Sequence, residues 1–249
     1  MSKKKIWIYG KHTCIAALQN TNRKCYELLV TENFIKHNHE IQKIRELSKQ
    51  QNIYPKQVNL NTINSVLPPN SNHQGIALQV ATIDTVTIED VLSNIATESS
   101  TIILLDQVTD VHNVGSIIRS AVCFNAHAII LPYYNSPSEN CGMSKTSSGA
   151  IDMIPIVYAV NISNTINILK KAGYWCYGFD AKEGEFLHKV KLDNKRLVIF
   201  GSENKGLRKL TKENCDFLLK IATSEKIDSL NVSNAAAIAL YSIFIQNHD

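Results

Sequence analysis

Three short segments carry residue types and spacings suited to chemistry. In Asp110-Val-His-Asn-Val-Gly-Ser-Ile-Ile-Arg-Ser-Ala121 an apolar strand runs out, a polar turn follows and a helix begins near Asn113. Asn is a good N-cap, and Gly115 lets another backbone come close. The free N–H groups of a helix start attract an anion. Arg119, farther into the same helix, has the planar fork that grips a phosphate through paired hydrogen bonds. In Ile199-Phe-Gly-Ser-Glu-Asn-Lys-Gly-Leu207 a hydrophobic strand enters two glycines that bracket Glu203. A carboxylate therefore stands at a strand end among flexible residues. The segment is neither a Walker loop nor Gly-x-Gly-x-x-Gly, which excludes the common phosphate loops. In Ile227-Asp-Ser-Leu-Asn-Val-Ser-Asn-Ala-Ala-Ala237, Ser229, Asn231 and Ser233 alternate with Leu230 and Val232, and a small-residue helix follows. Asn231 or Ser233 also suits the cap of that helix. Taken singly, the segments also read as a capped helix, a tight turn and a second cap.

The elements around them are of one kind. Continuous apolar runs at 101–105, 128–131, 154–157, 175–179, 196–200 and 218–221 predict strands of the buried, parallel type. Helical stretches fall at 114–124, 165–172 and 232–246. This alternation predicts an α/β fold whose mostly parallel sheet has helices on both faces. Such sheets bind ligands at the carboxyl ends of their strands, which is where the first two segments lie. The first third reads as a smaller α/β unit, with strands at 6–9, 27–30, 57–60 and 76–80 and helices at 10–18 and 35–51. Between the two, Thr87 and Asp90 predict a capped helix over 88–95. The expected organisation is a smaller domain at 1–81, a linker at 82–100 and a larger domain at 101–249.

Hydrophobic residues make up 44% of the 249 and charged residues 19%, which excludes wholesale disorder. The net charge of +4 conceals an asymmetry. Residues 1–80 hold eleven Lys and Arg against four Asp and Glu, and the remainder fifteen against eighteen. A basic first third predicts a polyanionic partner. No apolar run is long enough to span a bilayer, and the start lacks the apolar core of a signal peptide, so a cytoplasmic protein without membrane contact is expected. The six cysteines form no Cys-x-x-Cys pair and read as reduced thiols. His37 and His39 have no carboxylate or Cys cluster beside them, so no metal site is expected.

In order and separation, Asn113-Val-Gly-Ser-Ile-Ile-Arg-Ser-Ala121, Gly201-Ser-Glu-Asn-Lys-Gly206 and Ser229-Leu-Asn-Val-Ser-Asn-Ala235 resemble the three signature motifs of the SpoU (TrmH-type) branch of the SPOUT RNA methyltransferases. Ser147-Ser-Gly-Ala150 and Ile154-Pro155 extend the match. Tyr9–Leu18, the Asn22-Arg23 turn and Asn72-His-Gln-Gly-Ile76 are similar to the N-terminal domain of bacterial 23S rRNA guanosine-2′-O-methyltransferases, which itself resembles small ribosomal RNA-binding proteins. The resemblance implies a deep trefoil knot near the C-terminus, a homodimer, and transfer of a methyl group from S-adenosylmethionine to a ribose 2′-hydroxyl of structured RNA, with 23S rRNA the expected substrate. It assigns donor contacts to Gly201, Ile221 and Leu230 and the hydroxyl side to Asn113, Arg119, Glu203, Ser229 and Asn231. The chain reads Ile221-Ala222-Thr223 where the family usually has Ile-Pro-Met. Arginine stays protonated, so clamping phosphate or stabilising a developing alkoxide suits Arg119 better than acting as a base. The alternatives are a tRNA 2′-O-methyltransferase and a non-catalytic RNA-binding or resistance-type protein on the same scaffold.

Overall fold

A computed structural model describes residues 4–203, 205–224, 226 and 229–247. They divide into two units. The first takes the chain up to Asp84 together with Ser138–Met153, and the second takes Thr85–Pro137 and Ile154 onward.

The first unit is built on β1 (Lys5–Tyr9), α1 (Lys11–Gln19), β2 (Cys25–Thr31), α2 (Glu32–His37), α3 (Ile41–Gln50), β3 (Pro55–Val58), α4 (Leu60–Val66) and β4 (Ile76–Ala81). Its sheet runs β1-β4-β2-β3, with β2 and β3 parallel and the other pairs antiparallel. Alternation along the strands fills two cores. Ile8, Leu28, Val30, Ile76 and Leu78 pack with Ile15, Leu18 and Ile44, while Leu29 and Ala77 pack with Ile63 and Leu67. Each such buried Leu or Ile contributes roughly 1.5–3 kcal/mol.

Two elements here differ from expectation. The helix expected over 35–51 is two helices, because Asn38 leaves helical geometry at the end of α2 and its Oδ1 accepts the Glu40 N–H at 2.9 Å. A short polar side chain that bonds nearby backbone competes with helix continuation. The strand expected at 57–60 ends at Val58, since Asn59 caps α4 by accepting the Thr62 N–H at 2.9 Å.

The second unit opens with α5 (Ile88–Asn94), where Thr87 and Asp90 form the expected reciprocal cap. β5 (Ser100–Asp106), α6 (Val111–Cys123) and β6 (Ala128–Pro132) follow. The chain then gives α7 (Cys141–Thr146) to the first unit. It returns with β7 (Ile156–Ala159), α8 (Ile162–Lys171), β8 (Trp175–Phe179), β9 (Glu185–Phe186), β10 (Lys195–Gly201), α9 (Lys209–Glu213), β11 (Phe217–Lys220) and α10 (Val232–Gln246).

The seven strands are all parallel in the order β7-β6-β5-β10-β8-β11-β9, which is the expected α/β fold. Every residue of β5 and β6 is buried, as near-continuous apolar strands require when both faces are covered. Ile102, Leu104 and Ile130 pack with Ile166 and Leu169 of α8 on one face. α10 packs on α6 and β10, through a stripe that includes Val232, Ala236, Ala239 and Ile243. β10 is inserted between β5 and β8, and β11 then pairs with the far side of β8. That order sets the carboxyl ends of β5, β10 and β8 side by side.

Within the first unit, Ser138–Met153 is held by charge. The Arg23 side chain is fully buried. It donates to both Asp152 oxygens at 2.9 and 2.8 Å and to Glu139 Oε1 at 2.5 Å. Glu139 also accepts from the Ser144 hydroxyl at 3.0 Å and the Ile83 N–H at 2.8 Å.

Candidate active site

α6 starts before Asn113. Asp110 is its cap, accepting the His112 N–H at 2.7 Å, so Asn113 falls in the first turn and its side chain is released from capping. Its Nδ2 donates to Glu203 Oε1 at 2.8 Å. The Asn231 Nδ2 donates to the same carboxylate oxygen and, at 3.1 Å, to Asn113 Oδ1. The three motifs thus meet as a triangle of two amides and one carboxylate. Asn231 serves twice, because its Oδ1 also caps α10 by accepting the Ser233 N–H at 2.9 Å.

Beside the triangle, at the ends of β10 and β8, lies a cavity of about 690 Å³ including its mouth. Gly201, Ile221, Leu230, Ser229 and Glu203 all line it. The 201–206 turn is closed by the Gly206 N–H donating to the Ser202 carbonyl at 2.8 Å, with Gly206 at φ +65°. A Cβ on Gly201 would stand 2.1 Å from the Gly206 carbonyl carbon, so only glycine fits. The wall is consequently backbone on one side and the apolar side chains of Phe179, Phe200, Leu230 and Val232 on the other. Asn204, inside the second motif, and Ile227 and Asp228, ahead of the third, lie outside the described residues.

Arg119 stands apart. Six residues past Asn113, it lies about 9 Å along α6 and about 120° round its axis, exposed. Among the described residues no hydrogen bond joins it to Asn113, Glu203 or Asn231.

Two carboxylates escaped the sequence reading. Asp180, immediately after β8, lines the cavity and pairs with Lys212 at 2.6 Å. Burial raises its pKa, but Lys212 and the Lys182 and Glu183 N–H groups outweigh this and hold it below the ordinary Asp value. Asp106 ends β5 fully buried and takes Arg208 Nε at 2.7 Å. Both sit at carboxyl ends of strands, so the rule that located Glu203 would have found them. No cysteine is among the described residues lining the cavity, and burial pushes the Cys176 and Cys215 thiols up to about 12.

Residues 100–241 match the SpoU rRNA Methylase family, and residues 7–85 match the family described as RNA 2′-O ribose methyltransferase substrate binding. A tRNA/rRNA methyltransferase of Borreliella burgdorferi, itself uncharacterized, is 38% identical over 85% of this chain and 96% of its own. The 23S rRNA (guanosine-2′-O-)-methyltransferase RlmB of Xylella fastidiosa is 32% identical over 97% of this chain and 96% of its own. The structure of the SpoU methyltransferase AviRb from Streptomyces viridochromogenes, in complex with the cofactor AdoMet, superposes with a TM-score of 0.81 at 19% identity, covering 98% of this chain and 91% of that one. Two family matches that together span most of the chain, and relatives alike over nearly their whole length, lead to one conclusion: the chain belongs to the SpoU rRNA methylase family.

Proposed function

We propose that this protein methylates the ribose 2′-hydroxyl of a guanosine in 23S rRNA, with S-adenosylmethionine as donor, and that it acts as a cytoplasmic homodimer. The observation that carries the reading is the Asn113–Glu203–Asn231 triangle at the mouth of the Gly201 cavity.

The cavity suits the donor. Its backbone wall at Gly201 and Gly206 offers main-chain groups to a flat heterocycle, and Phe179, Leu230 and Val232 offer apolar cover. Gly201, Ile221 and Leu230 are the residues that would hold it, and when bound it supplies a methyl group on an electrophilic sulfonium. The protein's part is positioning. Glu203 is fixed by two amide N–H donors, which orients it for the hydroxyl or its departing proton. Ser229 and Asn231 line the approach, and Arg119 clamps an RNA phosphate or the developing alkoxide. Most of the acceleration comes from holding hydroxyl and donor in line.

The basic first third supports an RNA substrate. Exposed Ile238, Tyr241 and Ile245, spaced at three and four residues on α10, support a second copy covering that face. The test is methyl transfer to 23S rRNA and to tRNA, with the modified nucleotide mapped. Transfer to 23S rRNA guanosine that disappears in Arg119→Ala is expected. Methylation of tRNA alone would overturn the substrate, and full activity in Arg119→Ala would overturn that residue's role.

A further inference from the structure

A second hollow, about 710 Å³ with its mouth, lies at the same carboxyl edge of the sheet, at the ends of β6 and β7. Methyl transfer as described makes no use of it. Its rim is unusually apolar for solvent. Tyr134 is 65% exposed, Val160 69% and Leu210 59%, and all three line the hollow. Tyr133, 59% exposed, meets Tyr134 edge to face with ring centroids 5.2 Å apart. Apolar groups gathered in water around one concavity mark a binding surface.

The polar part of the rim is one arginine among neutral amides and hydroxyls. Arg208 lines the hollow, its Nε fixed 2.7 Å from buried Asp106, and its backbone N–H is tied to the same carboxylate at 3.1 Å. Its guanidinium is therefore aimed before any ligand arrives. No Asp or Glu is among the described residues lining the hollow; Lys209, outside the lining, stands 3.9 Å from Glu213. Gln107 and Asn135, also in the lining, hold φ of +62° and +63°. Non-glycine residues in the left-handed region carry a conformational cost that concentrates at functional sites.

We propose that this hollow is a subsite for an unpaired nucleobase of the RNA substrate, which stacks on Tyr134 while Arg208 bonds the adjoining phosphate. The proposal rests on the RNA-methylating reading. Aromatic side chains beside a phosphate-binding arginine are how proteins hold unstacked bases, and the amides of Gln107 and Asn135 can bond a base edge. The hollow is also continuous in sequence with the active site. Gln107 lies three residues before Asp110, the cap of the helix that carries Asn113, and Arg208 two residues after Gly206 of the donor cavity.

The test uses the full chain and a single-stranded oligoribonucleotide bearing 2-aminopurine, whose fluorescence falls on stacking. In the Tyr133→Ala/Tyr134→Ala variant the quenching should disappear. The Kd for the oligonucleotide and the KM for rRNA should rise about tenfold, with a much smaller change in kcat. Donor affinity and melting temperature should stay put, and Tyr134→Trp should restore binding. Unchanged quenching, Kd and KM in the double variant would overturn the subsite, as would Tyr134→Trp behaving like Tyr134→Ala. Loss of a protein partner with RNA binding intact would overturn it too. If the wild-type protein transfers no methyl to any RNA yet quenches the probe through Tyr134, the methyl-transfer reading fails and the subsite stands.

Discussion

Two polar clusters anchor the two units, and they hold their carboxylates in opposite ways. In the first unit Glu139 and Asp152 are almost fully buried around the Arg23 guanidinium, and their other bonds come from Ser144, Asn20 and the Ile83 N–H. In the second unit Glu203 is exposed, and Asn113 and Asn231 hold it with neutral amides. The contrast follows from desolvation. A buried carboxylate demands an opposite charge and saturated hydrogen bonds, and once it has them it has nothing left for a ligand. A carboxylate at the surface can be fixed by neutral donors alone and stays reachable. The Arg23 cluster therefore serves stability, while the Glu203 cluster leaves a carboxylate reachable for the chemistry proposed above.

The largest effect expected from this contrast is on folding. Arg23→Met should leave two buried carboxylates without their cation and cost about 3–5 kcal/mol. Denaturant unfolding measures it, and wild-type stability in that variant would break the comparison. Adding Asp152→Asn should recover part of the loss, because one uncompensated charge is removed.

Next comes an effect on rate. Asn113→Ala removes one of the two amides that fix Glu203. Methyl transfer should fall roughly 10²–10³-fold, the range for loss of one preorganised donor. The unfolding midpoint should barely move, since the group is partly exposed and its loss strands no buried atom. Single-turnover rates set beside melting curves separate the two. A variant that loses stability and rate together would place the triangle with the Arg23 cluster.

The sequence makes these regions legible to different degrees. The parallel sheet shows itself through apolar runs such as 101–105 and 196–200, since burial on both faces leaves no room for alternation. Asn113, Glu203 and Asn231 stand out through the order of three motifs that together resemble a family's, since each segment alone also reads as a cap or a turn, and local rules assign Asn113 a capping role that Asp110 fills. The split at Asn38 and the cap at Asn59 are choices between side-chain and backbone hydrogen bonds, which apolar periodicity does not register. Burial of Arg23 depends on Glu139 and Asp152, more than a hundred residues away, and no local pattern pairs them. Asp106 has no glycine beside it to mark it, and Asp180, between Gly178 and Gly184, is one of three carboxylates within six residues that no local pattern tells apart.

Asp180 sharpens the comparison at its smallest scale, because it is a third way of holding a carboxylate. It is mostly buried yet lines the Gly201 cavity, and its cation is Lys212, which keeps part of its surface in water. Its hydrogen bond to Asp180 raises the Lys212 pKa above the ordinary Lys value, against the desolvation that lowers it. Asp180 is held below the ordinary Asp value. A lowered carboxyl gives stability that is present above about pH 4 and lost as pH falls through the folded value. A raised ammonium gives stability that is present below about pH 10.5 and lost as pH climbs through the folded value. The pair should therefore contribute evenly from about pH 5 to 10, by about 1 kcal/mol or less for a partly solvated bridge. Asp180→Asn should make the acid limb of a plot of stability against pH shallower by about that amount and weaken donor binding slightly at neutral pH. Glu203 keeps its own partners in that variant, so the methyl-transfer rate at saturating donor should stay where it is. If that rate falls with Asp180→Asn, the donor side and the hydroxyl side are a single electrostatic site.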